Sequence, residues 1–598
     1  MSISLPRLLP MVLQITNSPR LCNESSPSLS ANTARQHLLT VNVEDYFQVG
    51  VFQKFIQADN WYRFESRLRQ NVEHVLQLLE QHNTQATFFV LGWTAENQPE
   101  LVRTIADAGH EVASRGFLHR PLIDLPHNEI REDLQKARAV LQDVTGQAID
   151  GFRLSDGWIG KSSLWLLDEI AAAGYRYDSS VMPKQRDFAD EPEWRSIREV
   201  ETSYGPILEV PLTTMQTAGG WLPIAGGNYQ RQMPDFLMKR LVGRTVAQQV
   251  DPFVMYFQVW ELDEKQPELS VADRMTRLRH YRKLGKYRRI LPKYLERYQF
   301  TSIRNHAQLV GSPLESLSRP APLAAKMPLP PVLGDVAESP SVESPVQSNC
   351  ERQVRKTEAT IVIPCFNEEK TVRYLANTLR SVTTALSENY SPRIIFVDDC
   401  STDSTFETLT RQFGDDPDIR IVRHDVNRGV SAAILTGLQH AETEVVGSMD
   451  CDCSYDPHEL CKMLPLLAND VSMVTASPYH KDGLVRNVPA WRLVLSRGLS
   501  VMYQKLLKQE LATWTACFRV YRRDHVLDLP LKEDGFLGTA ELAAQLILKE
   551  RKVVEHPTTL EVRLFGLSKM KTVRAILSHL RLITRIAVSR FTKGKAEI

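Results

Sequence analysis

Between Gly311 and Asn349 the chain runs through RPAPLAAKMPLPPVLGDVAESPSVESPVQS, rich in Pro and Ser and poor in residues that pack a core. Such a tract forms an extended or disordered linker, so the chain must fold as separate units on either side of it. Length agrees, because 598 residues exceed what one hydrophobic core organises. The composition, with 43% hydrophobic and 24% charged residues, is that of an ordinary soluble globular protein. A formal net charge of +1 offers no basic excess for a nucleic-acid partner. Function has to be read from local sites.

The expected organisation is a leader over 1–35, an α/β domain over 36–305, a linker over 306–357, a second α/β domain over 358–571 and a basic tail over 572–598. The opening stretch, with Arg7 and an apolar run broken by Pro6 and Pro10, reads as a frayed leader in preference to a signal peptide. No run of 18 or more apolar residues predicts a membrane span. The eight cysteines show no zinc-ligand spacing and predict a reducing cytosol.

In the first domain LLTVNV, ATFFVLG and FVMYFQVW read as short strands. Ser66–Gln81 and Glu129–Asp143 show helical spacing of apolar residues. In the second, ATIVIPCFN is a continuous apolar run, as in a buried parallel strand. RIIFVDDCS and EVVGSMDCD are strands with acids at their carboxyl ends, where ligands bind doubly wound sheets. Asp450-Cys451-Asp452 is the sharpest local feature. Two carboxylates flanking one residue can share a hard divalent cation, Mg²⁺ or Mn²⁺, and leave its other positions open for diphosphate oxygens. The alternative for this motif alone is a solvated acidic turn.

Six ordered blocks follow one another: IVIPCFNEEKTV, IIFVDDCSTDST, VNRGVSAAILTGL, VGSMDCDCSYDP, TACFRVYRR and VRLFGLSK. Together they resemble family 2 glycosyltransferases, most of all the branch with dolichyl-phosphate mannosyltransferase and the polyprenyl-phosphate sugar transferases. The resemblance implies a GT-A type, Rossmann-like fold and an inverting reaction on a nucleotide sugar. It places Pro364, Asn367, Glu368, Asp398, Asp399, Asn427, Arg428 and Gly429 around the nucleotide. Asp450 and Asp452 fall on the metal and diphosphate, and Glu541 as a candidate base if the acceptor is a sugar hydroxyl. Arg519, Arg563, Ser568 and Lys569 fall near an acceptor phosphate. The acceptor implied is a polyprenyl phosphate or a glycan. The sequence departs from the branch at Ser454, at Pro478 and at Ala516-Cys517-Phe518.

The first domain has its own likeness. TVNVEDYFQV, the long segment ATFFVLGWTAENQPELVRTIADAGHEVASRGFLHR, AGYRYDSSVMP and LPIAGGNYQR resemble polysaccharide deacetylases of the NodB-homology type, in the branch tied to exopolysaccharide clusters. The implied fold is a distorted (β/α) barrel with a Zn²⁺ site. Here Asn42 stands at the position of the base, with Glu44 and Asp45 beside it. Arg115 replaces one metal-ligating His while His119 remains, Arg153 opens the R-L-S-D-G segment, and Gln258 stands for the acid. A guanidinium cannot ligate zinc, and an amide cannot take a proton from water. The Zn²⁺ site is expected to be lost and the domain inactive. Trp93, Trp158, Trp221 and Trp260 either rim a glycan groove or pack in the core. A bifunctional deacetylase/glycosyltransferase and a non-catalytic glycan-binding scaffold are the competing readings.

In the tail, Ile576, Leu580, Ile583, Ala587 and Phe591 share one helical face opposite Arg574, Arg581 and Arg585. This pattern suits either peripheral attachment to the inner face of the membrane or docking on the second domain.

Overall fold

The computed structural model describes residues 35–183, 188, 190–217, 220–309, 356–468, 470–488, 490–566 and 572–593. All but the last residue of the expected leader, most of the expected linker, and Ser568 and Lys569 lie outside these residues.

Eleven strands build the first domain: β1 (Gln36–Val43), β2 (Thr87–Val90), β3 (Glu111–Ser114), β4 (Gly151–Phe152), β5 (Tyr177–Asp178), β6 (Arg198–Thr202), β7 (Gly205–Glu209), β8 (Thr214–Thr217), β9 (Gly220–Pro223), β10 (Val254–Gln258) and β11 (Gln299–Thr301). Nine of them form one sheet in the order β10-β1-β2-β3-β4-β5-β7-β6, with β11 also on β1, and β8 and β9 make a separate hairpin. Pairing along the sheet is parallel until the antiparallel β6–β7 ribbon. Among the described residues β6 and β10 are not paired with each other, so the distorted barrel stays open on that side. Val41, Val43, Phe88 and Val90 are fully buried beneath the helices Leu68–Gln81 and His127–Thr145. Both faces of these strands are buried, as in parallel strands covered on either side, and the polar Thr40, Asn42 and Thr87 are buried with them.

The second domain comprises β12 (Thr357–Cys365), β13 (Tyr390–Asp398), β14 (Ile419–Arg423), β15 (Val445–Ser448), β16 (Val471–Ser477), β17 (Leu484–Val485), β18 (Arg519–Arg522), β19 (Lys552–Pro557) and β20 (Thr559–Leu560). Its seven-stranded sheet runs β14-β13-β12-β15-β18-β16-β19. The first four are parallel, while β18 runs antiparallel to both β15 and β16, so the sheet is mixed. Strand order reverses at β12, which lies between β13 and β15. The carboxyl ends of these strands therefore open onto the crevice of a doubly wound sheet.

The two domains share a core. Phe47 and Phe64 of the first pack in one apolar cluster with Tyr374 and Phe565 of the second, with Phe64 edge-on to Tyr374 at 5.0 Å. The basic tail forms a helix, Thr572–Lys593, docked with His579, Leu582 and Ile586 buried. Leu580, expected on the apolar face, is 40% exposed. Packing against Tyr503 and the helix Leu537–Leu548 has turned a neighbouring stripe inward. Described residues contain no helix long and apolar enough to cross a membrane.

Candidate active site and a second buried cluster

After β12 the chain turns sharply through Asn367, which adopts a left-handed φ of 54°. Its Oδ1 accepts from the Thr402 amide at 2.7 Å, which ties this loop to the one after β13. Next to it, Glu368 is anchored by its own amide donating to Thr405 Oγ1 at 2.7 Å. Its carboxylate meets the Arg563 guanidinium in a close ion pair.

Asp398 and Asp399 end β13 and diverge in role. Asp398 is wholly buried; Oδ2 pairs with Arg423 Nε at 3.1 Å, while Oδ1 is buried without a hydrogen-bond partner. An orphaned buried acceptor is costly. Asp399, by contrast, brackets the next loop. Its carboxylate accepts the amides of Arg428 at 2.8 Å and Gly429 at 2.7 Å, and contacts His424 Nδ1 at 2.8 Å. Asn427 Nδ2 in turn donates to the Asp399 carbonyl at 3.1 Å. Gly429 has φ 100°, and a Cβ there would come within 2.8 Å of Asp534 O, so this crossing admits only glycine.

Asp450 and Asp452 follow β15 at the mouth of the same crevice. Burial first, and the neighbouring Asp452 second, push the Asp450 carboxyl up to about 7. Burial likewise raises Glu368, against the pull of Arg563. Asp452 Oδ1 accepts the Ser454 amide at 2.9 Å, and Oδ2 lies 3.7 Å from Arg563 Nε. Two carboxylates, Glu368 and Asp452, thus share one guanidinium with Asp450 beside them, a crowding of acids that a hard divalent cation would relieve. Among the described residues no three His, Cys, Asp or Glu are placed to hold a metal unaided. A cation at Asp450 and Asp452 would complete its shell with oxygens of a bound diphosphate or water.

Two residues named from the sequence have other work. Arg519, expected near an acceptor phosphate, is fully buried and donates to Thr539 O at 2.6 Å, Trp514 O at 2.8 Å and Thr475 Oγ1 at 3.3 Å. Its donors are taken up by the fold. Glu541, the candidate base, accepts the amides of Lys532 at 2.9 Å and Glu533 at 2.8 Å through Oε2, and pairs with Arg585 at 2.6 Å through Oε1. Both oxygens brace a loop and the C-terminal helix. One contributor went unnoticed in the sequence, Arg423, which pairs with the buried Asp398.

In the first domain Glu44 is buried at the carboxyl end of β1. Its Oε2 lies 3.1 Å from Arg115 Nη2 and 3.2 Å from His119 Nε2, and its Oε1 accepts the Trp260 indole N–H at 3.3 Å. Burial raises this carboxyl, but Arg115 and His119 outweigh it and hold it down to about 2. A guanidinium therefore neutralises this buried acid. Asn42 Oδ1 accepts from Arg153 Nη1 at 3.2 Å, and the rest of Arg153 is bound to Thr40 and Ser179. Burial lowers Arg153 to about 9. Asp45, raised to about 6 by burial, accepts the amides of Tyr46 and Arg67. Gln258 Oε1 is buried without a partner and borders a cavity of about 350 Å³ with Trp158, Tyr256 and Trp260. Of the other tryptophans, Trp93 packs edge-on to Trp61 at 5.1 Å and Trp221 lies under Arg195 at 3.5 Å.

Comparison with known proteins matches residues 360–529 to the glycosyl transferase family 2 model, 59–177 to polysaccharide deacetylase and 179–308 to a domain of unknown function. A polyprenol monophosphomannose synthase of Mycolicibacterium smegmatis is 31% identical over 225 residues, 36% of this chain and 83% of that protein. A dolichol-phosphate mannosyltransferase of Pyrococcus furiosus is 28% identical over 231 residues, 38% of this chain. An undecaprenyl-phosphate 4-deoxy-4-formamido-L-arabinose transferase of Yersinia pseudotuberculosis is 27% identical over 231 residues, also 38% of this chain. The chain spans 63% and 66% of the length of these last two.

Proposed function

The chain belongs to glycosyltransferase family 2 through its C-terminal domain, and we propose that this domain moves a sugar from a nucleotide sugar to a polyprenyl-phosphate or glycan acceptor in cell-surface polysaccharide synthesis. The observation that carries the reading is the meeting of Asp450, Asp452 and Glu368 around Arg563 where strand order reverses. Three relatives are named for polyprenyl carriers, which favours the lipid-phosphate acceptor.

The nucleoside sits at the end of β13 marked by Asp398, beside the loop Asn427–Gly429 that Asp399 holds. Asp450 and Asp452 face the diphosphate. Bound Mg²⁺ or Mn²⁺ would neutralise charge on the departing nucleoside diphosphate. Arg563 supplies a second positive charge beside Asp452. A phosphate acceptor is already an anion and attacks the anomeric carbon without a base, consistent with the engagement of Glu541 elsewhere. Ser568 and Lys569 retain their proposed place near that phosphate.

The test is transfer from a panel of nucleotide sugars with Mn²⁺ to undecaprenyl phosphate by the full chain. Asp450→Asn with Asp452→Asn should lower turnover at least about 10³-fold, as loss of transition-state charge stabilisation does. Unchanged turnover in that pair would refute the assignment.

The first domain, on this reading, does not hydrolyse acetyl groups; the Arg115–Glu44 pair supports that, and its cavity keeps the means to hold a saccharide. Release of acetate from an acetylated polymer, lost in His119→Ala, would restore the bifunctional reading. Membrane attachment, if the acceptor is a lipid, is peripheral and on the cytoplasmic face.

A further inference from the structure

We infer that the N-terminal domain is a working part of the transferase site: its arm Leu269–Ser270 positions Arg563. The inference rests on the transferase reading for its consequence but not for its geometry. Arg563 stands in the irregular segment that follows β20. Leu564 O, on the next residue, accepts the Ser270 amide at 2.8 Å. Leu269 forms an antiparallel bridge with Phe565, whose carbonyl accepts Arg563 Nε at 2.7 Å. Backbone bonds from the first domain therefore flank the guanidinium that faces Glu368 and Asp452.

The arm is itself anchored inside the first domain. The Leu269 amide donates to Tyr281 Oη at 2.8 Å, and Tyr281 packs edge-on against His280 at 4.6 Å. His280 stacks on Trp260 at 4.3 Å, and Trp260 donates to Glu44. The degenerate deacetylase site and the transferase guanidinium are joined by one packed series of side chains.

A second brace reaches the other side of the cleft. Arg63, 5% exposed, pairs with Asp456 Oδ1 at 2.9 Å, four residues beyond Asp452, and its carbonyl accepts Asn377 Nδ2 at 3.2 Å. Phe64 fills the space between Tyr374 and Phe565. The segments bearing Asp452 and Arg563 are thus both held from the first domain. A polar group buried away from water needs such partners to keep one geometry. Arg563 is accordingly held by both domains, and Ser270 and Arg63 are positioning residues for the transfer reaction.

The test uses the full chain with Ser270→Pro, which removes the donating amide. Hydrogen exchange over residues 561–566 should speed up at least about fivefold, the equivalent of one lost hydrogen bond, while exchange in β12 and β13 stays as in wild type. Binding of Mn²⁺ with GDP and of Mn²⁺ with UDP should weaken about fivefold by the same reckoning for whichever wild type binds. In an Arg563→Ala background the same change should alter binding less than about twofold, because a residue acting through another loses its effect with it. Arg63→Met, which keeps the packed stem, serves as the second variant if Ser270→Pro does not fold, and is expected to weaken the same binding. Equal weakening with and without Arg563, or exchange indistinguishable from wild type, overturns the inference. If wild type binds neither nucleotide, the transferase reading falls, while the exchange data still decide whether the arm holds the Arg563 segment.

Discussion

Replacing Arg115 with Met probes whether a guanidinium has taken the place of a metal in the first domain. Glu44 is fully buried, and its carboxyl sits at about 2 against an ordinary 4.5. At roughly 1.4 kcal/mol for each tenfold change in proton affinity, that difference corresponds to roughly 3 kcal/mol favouring the folded, ionised state. A depressed acid contributes stability that is complete above its unfolded value and fades as pH falls from about 4.5 towards 2. From this group, wild type should show no change between neutral pH and about 5.5. In Arg115→Met the strongest attraction on Glu44 is gone and burial, which raises the carboxyl, takes over. A buried acid left without its partner costs about 3–5 kcal/mol at neutral pH. For a domain of this size that is a melting transition lower by about 10 °C. Protonation relieves the cost, so the gap between variant and wild type should narrow on going from pH 7.5 to 5.5. Calorimetric melting of both proteins at the two pH values measures it. A variant melting within about 2 °C of wild type at pH 7.5, or a gap that widens on acidification, would refute the reasoning.

Gly429→Ala places a Cβ 2.8 Å from Asp534 O at a φ of 100°; it should cost at least about 2 kcal/mol and lower the second domain's melting transition by about 5 °C. In metal-free protein Asp450, raised to about 7, holds a proton that the unfolded chain has released above about 4. Stability from this group therefore falls as pH rises through that window, and Mn²⁺, which needs the carboxylate, should raise the melting temperature more at pH 8 than at pH 6. Glu541→Gln removes the charge paired with Arg585 at a cost of about 1 kcal/mol. It should speed hydrogen exchange in the C-terminal helix while leaving turnover within about threefold, whereas a larger loss of turnover would return Glu541 to the chemistry.

The two folds and the Asp450–Asp452 pair were legible in the primary sequence because each is encoded by neighbours along the chain. A strand of continuous apolar residues ending in acids needs no distant information. Local pattern could not distinguish acids and cations that meet ligand from those that brace the fold. Asp398 and Asp399 are adjacent, yet one keeps an orphaned oxygen and the other binds two backbone amides. Arg519 and Glu541 occupy motif positions but are consumed by carbonyls and amides brought together by the reversed strand β18 and the docked helix. The contact between domains left no local trace either. Arg63 and Asp456 lie 393 residues apart, and nothing in the sequence around either marks the other as its partner. Their pairing, like the bridge from Leu269 to Phe565, exists only after both cores have formed and buried a shared aromatic cluster. Short-range periodicity and side-chain chemistry specify elements and candidate sites, whereas the partner of each polar group depends on which surfaces the completed cores press together.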